Sequence, residues 1–127
     1  MQRKKWFIAV PAVALVIVAY VAFGFIRGVT WYNRGAAFMA KGDYDQAIAC
    51  FDKAIRIEPR FAEAYCNRGT AYYEKGYFDA AISDFSRAIE IEPDFAHAYY
   101  NRAVAYHDKA EYDKALQDVQ KAQSLGC

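Results

Sequence analysis

Three cysteines and two histidines are the side chains in this 127-residue sequence best suited to metal, redox or nucleophilic chemistry. Their spacing supports none of these. Cys50, Cys66 and Cys127 form an odd set with no CxxC pair and no histidine at zinc-ligand spacing, so neither metal nor haem attachment is expected. His97 and His107 fall on one helical stretch about 15 Å apart along its axis, too far to share an ion. No Ser-His-Asp arrangement, glycine-rich phosphate loop or distinguishable carboxylate pair occurs, so the sequence predicts no catalytic residue, no enzyme activity and no cofactor. The cysteines read as buried or spectator thiols, except that Cys127, at the end of the sequence, is open to oxidation with a neighbour.

With these chemistries set aside, charge narrows the field. Arg3, Lys4, Lys5 and Arg27 are the only charged residues before Arg34, and all 15 acids lie between Asp43 and Asp118. From residue 28 onward, 12 Lys+Arg face 15 Asp+Glu, a formal net charge of −3. A nucleic-acid partner, which calls for a basic face, is not expected.

Residues 6–26 carry no charge and follow the basic cluster Arg3-Lys4-Lys5. At 1.5 Å per residue this run is about 31 Å long as a helix, enough to span a bilayer, with Pro11 removing one helical donor near its start. The competing reading is a secretory signal cleaved near Ala22-Phe23-Gly24, although signal cores are usually only about 7–15 residues long. Cations near the span favour a cytoplasmic amino terminus and an extracytoplasmic remainder, in a periplasm or lumen. No Ser- or Pro-rich linker follows Ile26. The run is therefore expected to continue as one helix into the next segment, with Gly24 and Gly28 as weak points or as a close-approach site for a second helix.

The remaining 100 residues repeat. Asn33-Arg34-Gly35 recurs as Asn67-Arg68-Gly69 and Asn101-Arg102-Ala103, both times at an offset of 34. Residues 28–61 and 62–95 share 16 of 34 positions, and residues 62–93 and 96–127 share 12 of 32, which excludes coincidence. Each unit reads as two helices with alanines at close-packing points and aromatics between them: Ala47, Phe51 and Ala54, then Ala81, Phe85 and Ala88, then Ala115, Val119 and Ala122. Gly42 and Gly76 are placed to end the first helix of a unit, an aspartate to favour the start of the second, and Pro59 and Pro93 to end it.

These units resemble the tetratricopeptide repeat (TPR). Trp31-x2-Arg34-Gly35-x2-Phe38, Ala47-x3-Phe51 and Pro59 follow the family pattern, as do Tyr65-x2-Arg68-Gly69-x2-Tyr72, Ala81-x3-Phe85 and Pro93. The third unit gives Tyr99-x2-Arg102-Ala103-x2-Tyr106 and Ala115-x3-Val119. The resemblance covers residues 28–127 and implies an all-α fold: a single amino-terminal transmembrane helix (residues 1–27 with its basic stub), then units 28–61, 62–95 and 96–127 in a short right-handed superhelix. Arginine replaces the usual leucine in every unit, and its head is expected to pair with an acid such as Asp84 or Asp118. Ala115, Leu116, Val119 and Leu125 are expected to stay semi-exposed on the last helix, a surface for self-association unless a partner or further chain covers them.

The resemblance also implies a groove lined by the first helices of the units. Carried over by position, its lining is Val29, Tyr32, Ala36 and Met39, then Glu63, Cys66, Thr70, Tyr73 and Glu74, then His97, Tyr100, Val104, His107 and Asp108. Tyrosines and a methionine rimmed by acids fit a protein or peptide with apolar anchors and some positive charge. The TPR subclass that grips a terminal carboxylate uses Lys, Arg and Asn here, and only Asn67 matches. The implied function is a membrane-anchored protein-interaction module serving a membrane or membrane-surface protein as scaffold, assembly factor or accessory subunit. The alternative is a soluble adaptor or chaperone released by signal cleavage.

Overall fold

Small residues and aromatics at helical spacing do build helices. The structure, a computed structural model describing residues 11–127, contains six helices and no strand among the described residues. They are α1 (Ala12–Ala40), α2 (Tyr44–Ile57), α3 (Ala62–Glu74), α4 (Phe78–Ile91), α5 (Ala96–Asp108) and α6 (Tyr112–Ser124). The basic cluster Arg3-Lys4-Lys5, Trp6 and the start of the apolar run lie outside the described residues.

α1 joins the apolar run to the first repeat helix without a break, 29 residues or about 43 Å of helix. Pro11 stands immediately before this helix rather than inside it, at φ −52° and ψ 137°. Its carbonyl accepts from the Ala14 and Leu15 N–H groups at 2.8 and 3.3 Å, and a proline outside the helix costs it no hydrogen bond. The apolar part is bare: Val16 is 66% exposed and Tyr20 80%. By length and composition α1 could cross a membrane, a test that a secretory signal also passes. Packing begins at Gly28, where an added Cβ would lie 3.5 Å from Ile57 Cγ2 and 3.9 Å from the Ala54 carbonyl. That face of α1 is thus taken by α2, which leaves Gly24 without its companion for a neighbouring membrane helix.

The turns follow their chemistry. Gly42 (φ 73°) and Gly76 (φ 80°) take the left-handed conformation after α1 and α3, and Ala110 (φ 61°) takes it after α5. Asp43 caps α2 by accepting from the Gln46 N–H at 3.3 Å, whereas Asp45, Asp79 and Asp113 sit in first turns and act on the helix dipole. Glu58 and Glu92 are extended because a proline follows each, and α2 and α4 stop there.

Helices in sequence pack as neighbours, and in addition α1 touches α3 and α3 touches α5, while α2, α4 and α6 do not touch one another. The stack therefore curves with α1, α3 and α5 on its inner side. Its core is narrow. Phe51 and Phe85 are fully buried over Gly35 and Gly69, among alanines at 0 to 2% exposure. On α6, Leu116 is 58% exposed as expected, but Ala115 is buried at 7% because it faces α5.

Candidate functional site

The inner face is held by side chains that recur with the repeat. Asn67 Nδ2 donates to Tyr32 Oη at 3.0 Å, and Asn101 Nδ2 contacts Cys66 Sγ at 3.7 Å, so the repeated asparagine ties each inner helix to the one before it. A third link runs from Tyr73 Oη to Asp108 Oδ2 at 2.5 Å. Donating that proton pushes the Tyr73 phenol up to about 12 and holds the Asp108 carboxyl below its ordinary value, with His107 adding to the latter effect. The asparagine links were not anticipated, although the recurrence of Asn in the Asn-Arg pair was their signal.

Arginines fix the inner helices to the outer ones. Arg68 donates from Nε and Nη2 to Asp84 at 2.8 and 2.7 Å, and from Nη1 to Asp52 of the preceding unit at 2.7 Å. Arg102 repeats this with Asp118 at 2.7 and 2.8 Å and Ser86 at 3.0 Å. Two parallel bonds to one carboxylate are the strong form of this pairing. Hydrogen bonding to Asp84 raises the Arg68 pKa; burial raises the Asp84 carboxyl and Arg68 pulls it back only in part. The bidentate geometry keeps both groups charged. Arg34 has no such partner, because Cys50 occupies the place of Asp84; its guanidinium instead lies 5.4 Å from the Trp31 ring centroid.

The residues expected to line the groove divide into three groups. Tyr32 is half-buried, stacked on Phe61 at 4.9 Å and 5.9 Å from Phe51, and Cys66 is 4% exposed with its thiol pushed up to about 11 by burial. These two belong to the packing as much as to any surface. Val29, Ala36, Met39, Thr70, Tyr73 and Val104 are intermediate, and Thr70 Oγ1 donates back to the Cys66 carbonyl at 3.1 Å. Glu63, Glu74, His97, Tyr100, His107 and Asp108 are exposed, Tyr100 at 50%. The exposed members of the expected lining are therefore three acids, two histidines and one aromatic, Tyr100, and none of the expected residues is a lysine or arginine. No group of three His, Cys, Asp or Glu among the described residues could hold a metal ion.

Comparison with known proteins bears on the family and the fold. A family profile described as TPR repeat matches residues 35–76 and 69–110, and one described as tetratricopeptide repeat matches residues 96–125. Among solved structures, the second TPR of Spaghetti (RPAP3), bound to the HSP90 peptide SRMEEVD, is 25% identical with a TM-score of 0.76, over 78% of this chain and 92% of that one. The Arabidopsis OM64 TPR domain is 25% identical with a TM-score of 0.80, over 81% and 85%. The TPR2B domain of yeast Sti1, in complex with pHsp70, is 29% identical with a TM-score of 0.77, over 79% of each chain. No curated protein matches the chain significantly.

Proposed function

The chain belongs to the tetratricopeptide repeat family, a protein-interaction fold, and from that premise we propose that it is a membrane-anchored module whose inner face captures a segment of a partner protein. The segment carries apolar anchors and net positive charge. One observation supports this most: of the residues expected to line the inner face, the exposed ones are Glu63, Glu74, Asp108, Tyr100, His97 and His107, with no lysine or arginine among them to offset the acids. The SRMEEVD peptide held by the similar RPAP3 domain is acidic, and Tyr32, Ala36 and His97 here would give such a ligand no cation. Fold likeness therefore supports peptide capture, while the side chains favour a ligand of the opposite charge. Combining Tyr100→Ala with Glu63→Gln and Glu74→Gln tests this: affinity for a basic, apolar-anchored peptide should fall at least about tenfold, equivalent to about 1.4 kcal/mol, with the helical circular dichroism unchanged. Undiminished binding would move the site elsewhere.

Residues 1–27 serve in this reading as stub and anchor, and residues 28–127 as the array, held against the membrane by the unbroken α1. Partners in or on the same membrane are then favoured, as for a scaffold, assembly factor or accessory subunit. The cations at the start of the sequence orient the array outside the cytoplasm. The second reading, release as a soluble adaptor, draws on one structural observation: α1 first buries a residue on α2 at Gly28, so cleavage after Gly24 would spare the array. Intact mass of the mature protein separates the two, since cleavage removes the first 24 residues.

A further inference from the structure

Unit one differs from the others in how its cations are satisfied. All six Lys and Arg from Arg68 to Lys114 have a carboxylate within 4.0 Å. Among the described residues, none of the six from Arg27 to Arg60 does. Two of those six, Arg34 and Lys53, face the Trp31 ring instead, Lys53 Nζ lying 4.1 Å from its centroid. Arg27 reaches back over Phe23 at 5.6 Å, and Arg56 and Arg60 are exposed.

Packing concentrates part of this charge in one place. α2 runs back along α1, so that Gly28 meets Ile57 and Glu58, and the same two residues share a recess with Val21, Gly24 and Phe25 of the apolar run. Arg56 and Arg60 flank Ile57 and Glu58. They therefore stand at the level of Gly28, and so of Arg27, where the exposed apolar helix enters the array, although they are about 30 residues from Arg27 in sequence. Glu58 is the one acid in the group, and its carboxylate is engaged by the Arg60 backbone N–H at 3.0 Å. The corresponding turn of unit two carries Glu90, Glu92 and Asp94, so the opposite charge stands one unit further from α1.

We propose that Arg27, Arg56 and Arg60 form a collar that binds anionic lipid headgroups around the exit of α1, seating the first unit on the membrane while the acidic turn of the second unit stands off it. The proposal rests on the membrane reading above. Its chemistry is that of juxtamembrane basic residues, each of which shifts the balance toward a negatively charged surface by about fivefold at physiological salt. Trp31, one turn beyond Arg27, has the residue type found at such interfaces.

The full chain reconstituted in nanodiscs tests this, in phosphatidylcholine alone and in phosphatidylcholine with phosphatidylglycerol, each with a headgroup-spin-labelled lipid. The result expected is that amides of residues 13–26 are protected from exchange in both discs, while amides of residues 56–61 are broadened more strongly in the anionic disc. Arg56→Gln with Arg60→Gln should remove that difference, and the rest of the amide spectrum reports that the variant is folded. Protection of 13–26 with no dependence on lipid charge at 56–61 would overturn the collar and leave the anchor standing. Unprotected 13–26 in both discs would overturn both. The same perturbation on adding inorganic phosphate to neutral discs would overturn the assignment to a lipid surface.

Discussion

Arg68 holds two neighbouring helices with one guanidinium, and the family's usual leucine cannot do this. Arg68→Leu would leave Asp84, whose side chain is 7% exposed, with a charge and no partner, and should cost about 3 kcal/mol in chemical denaturation. Arg68→Leu with Asp84→Ala removes the orphaned charge and should recover most of that loss. If Arg68→Leu alone is neutral or stabilising, the pairing contributes nothing. The Tyr73 link makes a separate prediction in pH. Asp108 has its folded pKa below the ordinary 3.8, so its contribution is present above that value and lost as pH falls through the folded one. Tyr73→Phe removes the main cause, and the Asp108 carboxyl titration followed by NMR should move up toward 3.8. An unmoved titration would mean that the hydrogen bond does not form in solution. Thiols divide as sharply: Cys127 is exposed, while Cys50 and Cys66 are buried and Cys66 is pushed up to about 11. A maleimide should modify one thiol in the native protein and three in denaturant. In sealed membranes a membrane-impermeant reagent then reports which side the array occupies.

Glycines decide how closely the paired helices approach. A Cβ at Gly69 would sit 2.8 Å from Cε1 of Phe85 and 3.1 Å from Cβ of Asp84, neither free to move. Gly69→Ala should therefore destabilise by about 1–3 kcal/mol. Unit three shows the compensated version, with Ala103 and Val119 at the corresponding positions lining one recess, so adding Phe85→Val should relieve the clash. The turn after α5 carries the reverse anomaly. Ala110 adopts a φ of 61° where its counterparts are glycine, and Ala110→Gly should raise stability by roughly 1 kcal/mol, read as a higher melting temperature. At this scale the sequence was an adequate guide, because turn chemistry and packing alanines act locally: Gly42, Gly76, Pro59 and Pro93 end helices where their backbone preferences require. Pro11 stands as the N-cap of α1, and the residues before it lie outside the described ones.

Across the whole molecule, what could be read in advance was whatever the 34-residue period repeats. That covered six helices and the Arg68–Asp84 and Arg102–Asp118 pairs. Features that depend on how a tyrosine is shared between elements were hidden: Tyr32 looks like Tyr100 in sequence, yet Phe51, Phe61 and Asn67 claim it for the packing. The placing of Arg56 and Arg60 at the level of Gly28 was hidden as well, because it arises only when α2 folds back on α1. For the proposed function, the acids among the exposed residues expected to line the groove are decisive, and in that reading they separate this chain from a TPR domain bound to an acidic peptide. The most direct measurement is the affinity of the full chain, in neutral nanodiscs, for peptides matched in length and apolar content but graded in net charge, with SRMEEVD among them. Affinity should rise with positive charge, weaken as salt is added, drop for the Tyr100→Ala, Glu63→Gln, Glu74→Gln variant, and be immeasurable for SRMEEVD. Binding of SRMEEVD as tight as that of the basic peptides would contradict the account.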